Sequence, residues 1–194
     1  MAKRVFFSFH FKDVAEFRAN VVRQHWVTKP DHKICGYYDA SIWESAKKQG
    51  DVALKRLIND GLEQTTNTCV LIGTQTYERP WVRYELLKSF KRGNHIFGVH
   101  INSIKSKSGE TKIKGPNPLD YVSVTYSESG LTATLSEWVG DRWREYDMID
   151  GSASYRIDAV AQKYRGKGFR LSDFYRVYDW VADDGFDNFA GWVG

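Results

Sequence analysis

Residues 69–90 read CVLIGTQTYERPWVRYELLKSF, from Cys69 to Phe90. The opening run Cys69–Val70–Leu71–Ile72 is apolar, partly β-branched and closed by Gly73, the pattern of a short buried strand. Thr74–Pro80 is polar, and the periodicity beyond it predicts an amphipathic helix from about Trp81 to Lys91. Strand, loop and helix make half of a βαβ unit. In open α/β sheets, ligands sit at the carboxyl ends of the strands, beside such loops. Glu85 lies on the first turns of that helix, at the edge of the expected crevice, with Trp81 and Val82 one turn before it.

Upstream, Val5–Phe9 reads as a buried strand. Asp13 and Glu16 have the spacing of a capping box, and Val14, Phe17, Val21 and Val22 then predict a helix to about His25. Ile34–Tyr38 is a second strand, Asp39–Gly50 a polar loop carrying Trp43, and Asp51–Leu62 a helix that turns Leu54, Leu57, Ile58 and Leu62 inward. His95–Asn102 is a fourth strand. The alternation β-α-β-α-β-α-β predicts an α/β fold with a mostly parallel sheet and helices on both faces.

After Asn102 the texture changes. Ser103–Lys114 is basic and polar, an exposed loop or hairpin tip, and Gly115–Pro118 is a rigid turn. Tyr121–Tyr126 and Leu131–Trp138 flank Ser127–Gly130 as a hairpin. Asp141–Gly151 fits no single period. Tyr155–Tyr164 is read as a short helix, and Leu171–Ala182 as another with Phe174, Val177, Tyr178 and Val181 on one face. The tail, with Phe189 and Trp192, is expected to dock onto the body. The expected organisation is a core over 1–102 and an extension over 103–194 packed on the same domain, one globular unit.

Composition removes several function classes. The chain has 194 residues, enough for a real core, and 28 basic against 24 acidic residues leave a net charge of +4. That balance argues against nucleic acid as a partner, although the lysines from Lys105 to Lys114 keep it as a minor alternative. Cys35 and Cys69 read as reduced core thiols, and the five histidines have no metal-like spacing. No segment has membrane-spanning length and no signal peptide is visible, so a cytoplasmic protein is expected. Phosphate-loop, dinucleotide-fingerprint and nucleophile-elbow motifs are all missing, which disfavours P-loop NTPases, ordinary dehydrogenases and elbow-type hydrolases.

The remaining polar candidates cluster at strand ends. Glu85 is either a surface glutamate paired with Lys88 or Lys47, or a carboxylate that holds ribose hydroxyls and stabilises positive charge at an anomeric carbon. Ser8, Phe9 and His10 end the first strand; Phe9 either stacks on a substrate ring or packs in the core, and His10 either donates to a diphosphate or is simply exposed. Asp39 binds a ribose hydroxyl or serves a turn. Trp43 stacks on a base or anchors its loop. Thr74 and Tyr77 line the loop before Glu85, and Trp81 reads as structural.

Val5–Phe9 with Lys12–Asp13, and Val70–Tyr77 leading into Trp81–Leu86 with its Trp-x-x-x-Glu-Leu, resemble the corresponding boxes of Toll/interleukin-1-receptor (TIR) domains. Gly115–Tyr121 and Tyr175–Gly185 extend the likeness to the TIR-like family of the bacterial Thoeris anti-phage system. The resemblance implies a flavodoxin-like, TIR-like core and places the catalytic glutamate of NAD-consuming TIR domains at Glu85. It implies NAD+ as substrate with no separate cofactor, and a cyclic ADP-ribose isomer as product. A separate NAD-depleting effector then answers that product. A phage-derived trigger and self-association are further expectations. Residues 35–49 depart from the family pattern, with Trp43 and Glu44 where a Gly-rich or Pro-containing loop is usual. The alternatives are a non-enzymatic TIR adaptor and transfer of ADP-ribose to a small acceptor.

Overall fold

A strand covered on both faces must be apolar or internally satisfied throughout, and Asn67–Ile72 is buried at every position. It is the central strand. The computed structural model describes residues 4–15, 17–28, 33–35 and 40–194. In chain order these form β1 (Arg4–Phe9), α1 (Phe11–Ala15), α2 (Arg18–Val27), β2 (Lys33–Cys35), α3 (Ala40–Gln49) and α4 (Asp51–Glu63). Next come β3 (Asn67–Ile72), α5 (Pro80–Arg92) and β4 (His95–His100). The remainder holds β5 (Val122–Tyr126), β6 (Thr132–Val139), β7 (Arg142–Glu145), β8 (Ser154–Arg156), β9 (Gly168–Arg170), β10 (Val177–Asp179) and α6 (Gly185–Trp192).

The main sheet has the order β10-β4-β3-β1-β2, and every pairing in it is parallel. One face carries Val5, Phe7, Cys69, Leu71, Phe97 and Val99 against α2 and α6. The other carries Phe6, Val70, Ile72 and Ile96 against α4 and α5. A second, antiparallel sheet runs β7-β6-β5-β9, with β8 also pairing β6, and its Val122, Val124, Ala133 and Leu135 share the core of that second face. The helix α5 therefore lies between two sheets. It begins with Pro80, whose missing N–H costs nothing in a first turn, and ends at Gly93 in the left-handed region (φ 76°).

The first, third and fourth expected strands, the Asp51 and Trp81 helices, the Tyr121–Trp138 hairpin and the docked tail are present, and the second strand is seen at Lys33–Cys35. Phe189 packs on Phe7, Trp26 and Phe97 with ring centroids 5.4–6.1 Å apart. Several expectations are corrected. The sequence reads Asp39–Gly50 as a loop, but residues 40–49 form α3, since Ala, Glu, Lys and Gln are strong helix formers. The first helix is two: Phe17 takes φ 69° between α1 and α2, and Phe17 and Val21 are exposed. Asp13 is no N-cap, because α1 starts at Phe11 and Asp13 is buried within it; its Glu16 partner lies outside the described residues, as do residues 36–39 of the expected second strand and loop. The side chain of Cys35 also lies outside what is described, whereas Cys69 is a buried free thiol whose pKa burial raises.

The Tyr155 segment is β8 followed by a short 3-10 turn at Gln162–Tyr164, not a helix. The Leu171–Ala182 segment is not a helix either. It opens with a 3-10 turn at Leu171–Asp173 and then forms β10. The open edge of β4 offers main-chain partners, and Gly98 leaves room for Val177, which it pairs; a Cβ at Gly98 would lie 2.9 Å from a Val177 methyl. The Asp179 carboxylate then accepts from the N–H groups of Val181 and Ala182 at 3.0 and 3.1 Å, ending the strand in a turn. Among the described residues no helix is long and apolar enough to cross a membrane.

The fifth strand and the outer cover of α5 both come from beyond residue 102. A fragment ending at Asn102 is expected to give no cooperative unfolding transition by circular dichroism, whereas the whole chain gives one. In the whole chain, Phe189→Ala is expected to cost about 3–5 kcal/mol in urea unfolding.

Candidate active site

The alternation of β1 sends Phe7 and Phe9 to one face and Phe6 and Ser8 to the other, toward α5. Glu85, on the second turn of α5, meets Ser8 there. Ser8 is fully buried, Glu85 is 6% exposed, and the Ser8 hydroxyl donates to Glu85 Oε2. Glu85 is therefore not a surface glutamate paired with a lysine. Burial raises the pKa of its carboxyl and the Ser8 hydrogen bond lowers it by less, which leaves it pushed up to about 8.

Glu85 also lines a cleft of about 370 Å³. Its walls come from four elements: Phe9 from the end of β1, Phe11 from the start of α1, Trp43 from α3, and Trp81 from the first turn of α5. Trp81 has its edge against Tyr84, centroids 5.7 Å apart, so it is both wall and brace. The lining also holds three cations, Lys12, Lys47 and Arg79, against one further carboxylate, Glu44. Arg79 Nη2 donates to Gln75 at 3.0 Å, while its Nε is buried without a hydrogen-bond partner in the described structure. An acceptor arriving from a ligand would relieve that. The arrangement is one buried, proton-bearing acid, aromatic walls and a lining in which cations outnumber the other carboxylate. It suits a ligand with a flat ring, a sugar and an anionic tail.

The structure brings Phe9, His10 and Trp43 together with Glu85 on this cleft. Ser8 touches Glu85 but does not line the cleft. Thr74 and Tyr77 are elsewhere: the Thr74 hydroxyl donates to the Ile113 carbonyl at 2.8 Å, and Tyr77 packs on Tyr121 at 4.9 Å and donates to Glu78. Asp39 lies outside the described residues. Sequence reasoning missed Lys12, Lys47 and Arg79. Lys47 follows Trp43 by four residues and so shares its helix face, a signal lost when 40–49 is read as a loop.

A family model described as "Thoeris protein ThsB, TIR-like domain" matches residues 6–106. A protein of Bacillus cereus (strain MSX-D12) named "Putative cyclic ADP-D-ribose synthase ThsB1" is 57% identical over 194 residues, 100% of either chain.

A carboxyl whose ordinary value of 4.5 is raised to about 8 on folding ionises in the unfolded chain first. Its burial thus costs nothing below pH 4.5, and stability falls as pH rises from there to about 8. Glu85→Gln keeps the shape without the charge. It is expected to match the wild type at pH 4.5 and exceed it by roughly 3 kcal/mol at pH 7 in urea unfolding.

Proposed function

The chain belongs to the Thoeris ThsB family of TIR-like domains, and from that premise we propose that it cleaves NAD+ and closes the remaining ADP-ribose into a cyclic isomer. The reading is carried by Glu85, a buried carboxyl that lines an aromatic cleft. The full-length likeness to a protein named as a cyclic ADP-D-ribose synthase supports the choice of product. The product acts in the cytoplasm as a messenger for a separate NAD+-depleting effector, and a phage-derived signal with self-association sets the activity.

The reaction balances as NAD+ giving nicotinamide, a cyclic ADP-ribose and one proton. The pyridinium ring leaves C1 of its ribose as neutral nicotinamide, taking the bonding pair, so no acid is needed. A cation develops at that carbon. A cation beside Glu85 favours its ionised form, and the carboxylate in turn stabilises the cation. A nucleophilic atom of the same ADP-ribose then bonds to C1; where that atom is a hydroxyl oxygen, Glu85 accepts its proton. Phe9, Trp43 and Trp81 hold the ring and exclude water, which would otherwise open the intermediate to linear ADP-ribose.

Protein taken from phage-infected cells, incubated with NAD+ and followed by mass spectrometry, is expected to release nicotinamide and a product lighter than ADP-ribose by one water. Glu85→Gln is expected to fall by at least about 10³-fold with its fold intact. Wild-type release from that variant would remove Glu85 from the reaction. Because the free carboxyl titrates near 8, kcat/KM is expected to rise with pH and level off above that value.

A further inference from the structure

The described residues form another hollow at the same end of the sheet, about 520 Å³ in volume. Its position follows from topology. β1 and β3 are neighbours, yet the chain leaves β1 for α2 on one face and β3 for α5 on the other. The two loops part, and an open sheet takes its ligands in the crevice so made. Lys12 and Asp13 line one side of the hollow, and Thr74 and Gln75 the other.

A segment of the extension forms the outer wall, with Thr111, Lys112 and Ile113. It is fastened in place. Thr74 Oγ1 and Asn102 Nδ2 both donate to the Ile113 carbonyl at 2.8 Å, and the Lys112 N–H donates to the Asn102 carbonyl at 2.9 Å. Farther back, the Arg18 guanidinium donates to the carbonyls of Ile104 and Glu110 at 2.9 and 2.8 Å. Gly115 lies so close to the turn at Gly73 and Thr74 that a Cβ there would strike the Gly73 carbonyl. The strap thus has a fixed course over the crevice, and it leaves Ile113 84% exposed, an apolar side chain beside the groove.

His10 and Lys12 line both this hollow and the Glu85 cleft. One ligand can cross from one to the other over that shared wall. The substrate has the matching form: a nicotinamide ribose and an adenosine joined by two phosphates. The 370 Å³ of the Glu85 cleft is at the small end of the roughly 300–1,000 Å³ range of ligand pockets, short for a whole dinucleotide.

We propose that the crevice under the strap is the subsite for the adenosine diphosphate half of NAD+, with Lys12 and Lys112 flanking the diphosphate and Ile113 covering the base. The proposal rests on NAD+ being the substrate. Asp13 is the one carboxylate among the lining residues; it sits against Gly73, where a Cβ would strike it, accepts from the Thr76 hydroxyl at 3.5 Å, and is outnumbered by the two lysines. Thr74, Gln75 and Thr111 supply neutral polar groups for the ribose and the base edge.

The test uses the full chain, with Lys112→Ala and Ile113→Asp as exposed substitutions. ADP and nicotinamide mononucleotide, which lacks the adenylate half, are titrated separately by calorimetry. ADP binding is expected to weaken about tenfold in either variant while nicotinamide mononucleotide binding stays unchanged. NAD+ is expected to displace ADP, and its KM to rise by a similar factor with kcat held. Undetectable ADP binding to the wild type, equal ADP binding in all three proteins, or equal weakening of both ligands would overturn the subsite. So would ADP and NAD+ bound together, which would mark a separate nucleotide effector. Nicotinamide release from NAD+ with unchanged KM in the variants would sink the subsite alone. Absence of that release from the wild type taken from infected cells would sink the NAD+ reading instead, and the ADP titration would still decide whether the crevice takes a nucleotide.

Discussion

The helix α5 is clamped between two sheets, and the chemistry of the site follows from that clamp. A helix on the outside of an α/β sheet buries one stripe and leaves its other face wet. Here Glu85 and Ser89 meet Ser8 of β1 and Thr68 of β3 on the parallel sheet, while β5 and β6 cover the side that the parallel sheet does not, so that Val82, Tyr84, Leu86 and Leu87 are buried as well. Arg83 fastens the cover, donating to the Glu137 carboxylate and the Trp138 carbonyl at 3.0 Å each. A carboxyl held in that position loses its water and keeps its proton to a higher pH. Ser8, at the end of β1, is the polar group that meets it.

Such an acid is costly to the fold. An ionisable group buried with one neutral hydrogen-bond partner opposes folding through the whole interval between its unfolded and folded pKa values. The aromatic tail offsets that cost at a distance. Phe189 meets Trp26, Phe97 and Trp180, and Trp192 stacks on Tyr178 at 4.2 Å. Those contacts are on the face of the sheet opposite Glu85. The extension therefore contributes twice: it closes the core with β10 and α6, and it covers the outer side of α5 with the second sheet.

The parallel core was legible because its signals are local. Val5–Phe9 and Cys69–Ile72 are apolar runs of strand length, and Pro80 and Gly93 mark the ends of α5. The extension was less legible, since its short elements depend on partners distant in sequence. Phe174, Val177, Tyr178 and Val181 have helical spacing, yet the open edge of β4 and the bare Gly98 make a strand there. The site was legible at Glu85 through the family likeness, and at Phe9, His10 and Trp43 through their places near strand ends. Lys12, Lys47 and Arg79 were not, because isolated cations look alike in a sequence until the fold sets them round one opening. Thr74 and Tyr77 show the converse: nearness along the chain to Glu85 put them in the same loop, but their side chains engage the extension.

A raised carboxyl pKa looks at first like a handicap for an enzyme that must stabilise a cation near neutral pH. The proposed substrate removes the difficulty. On that reading NAD+ brings its positive charge on the ring that enters the cleft, so binding favours the ionised form of Glu85 at the moment it is needed. When nicotinamide leaves, the charge moves to the ribose carbon and the carboxylate keeps its partner. When the ring closes, that charge disappears, and the dry surroundings restore the high proton affinity of Glu85. The group that stabilised the cation is then the group best placed to take a proton from an attacking hydroxyl. An exposed glutamate of ordinary acidity would already be ionised, would gain little from the substrate's charge, and would have water beside it to compete for the cation. On the proposed reaction, the burial that weakens the fold is what lets one carboxyl serve both steps.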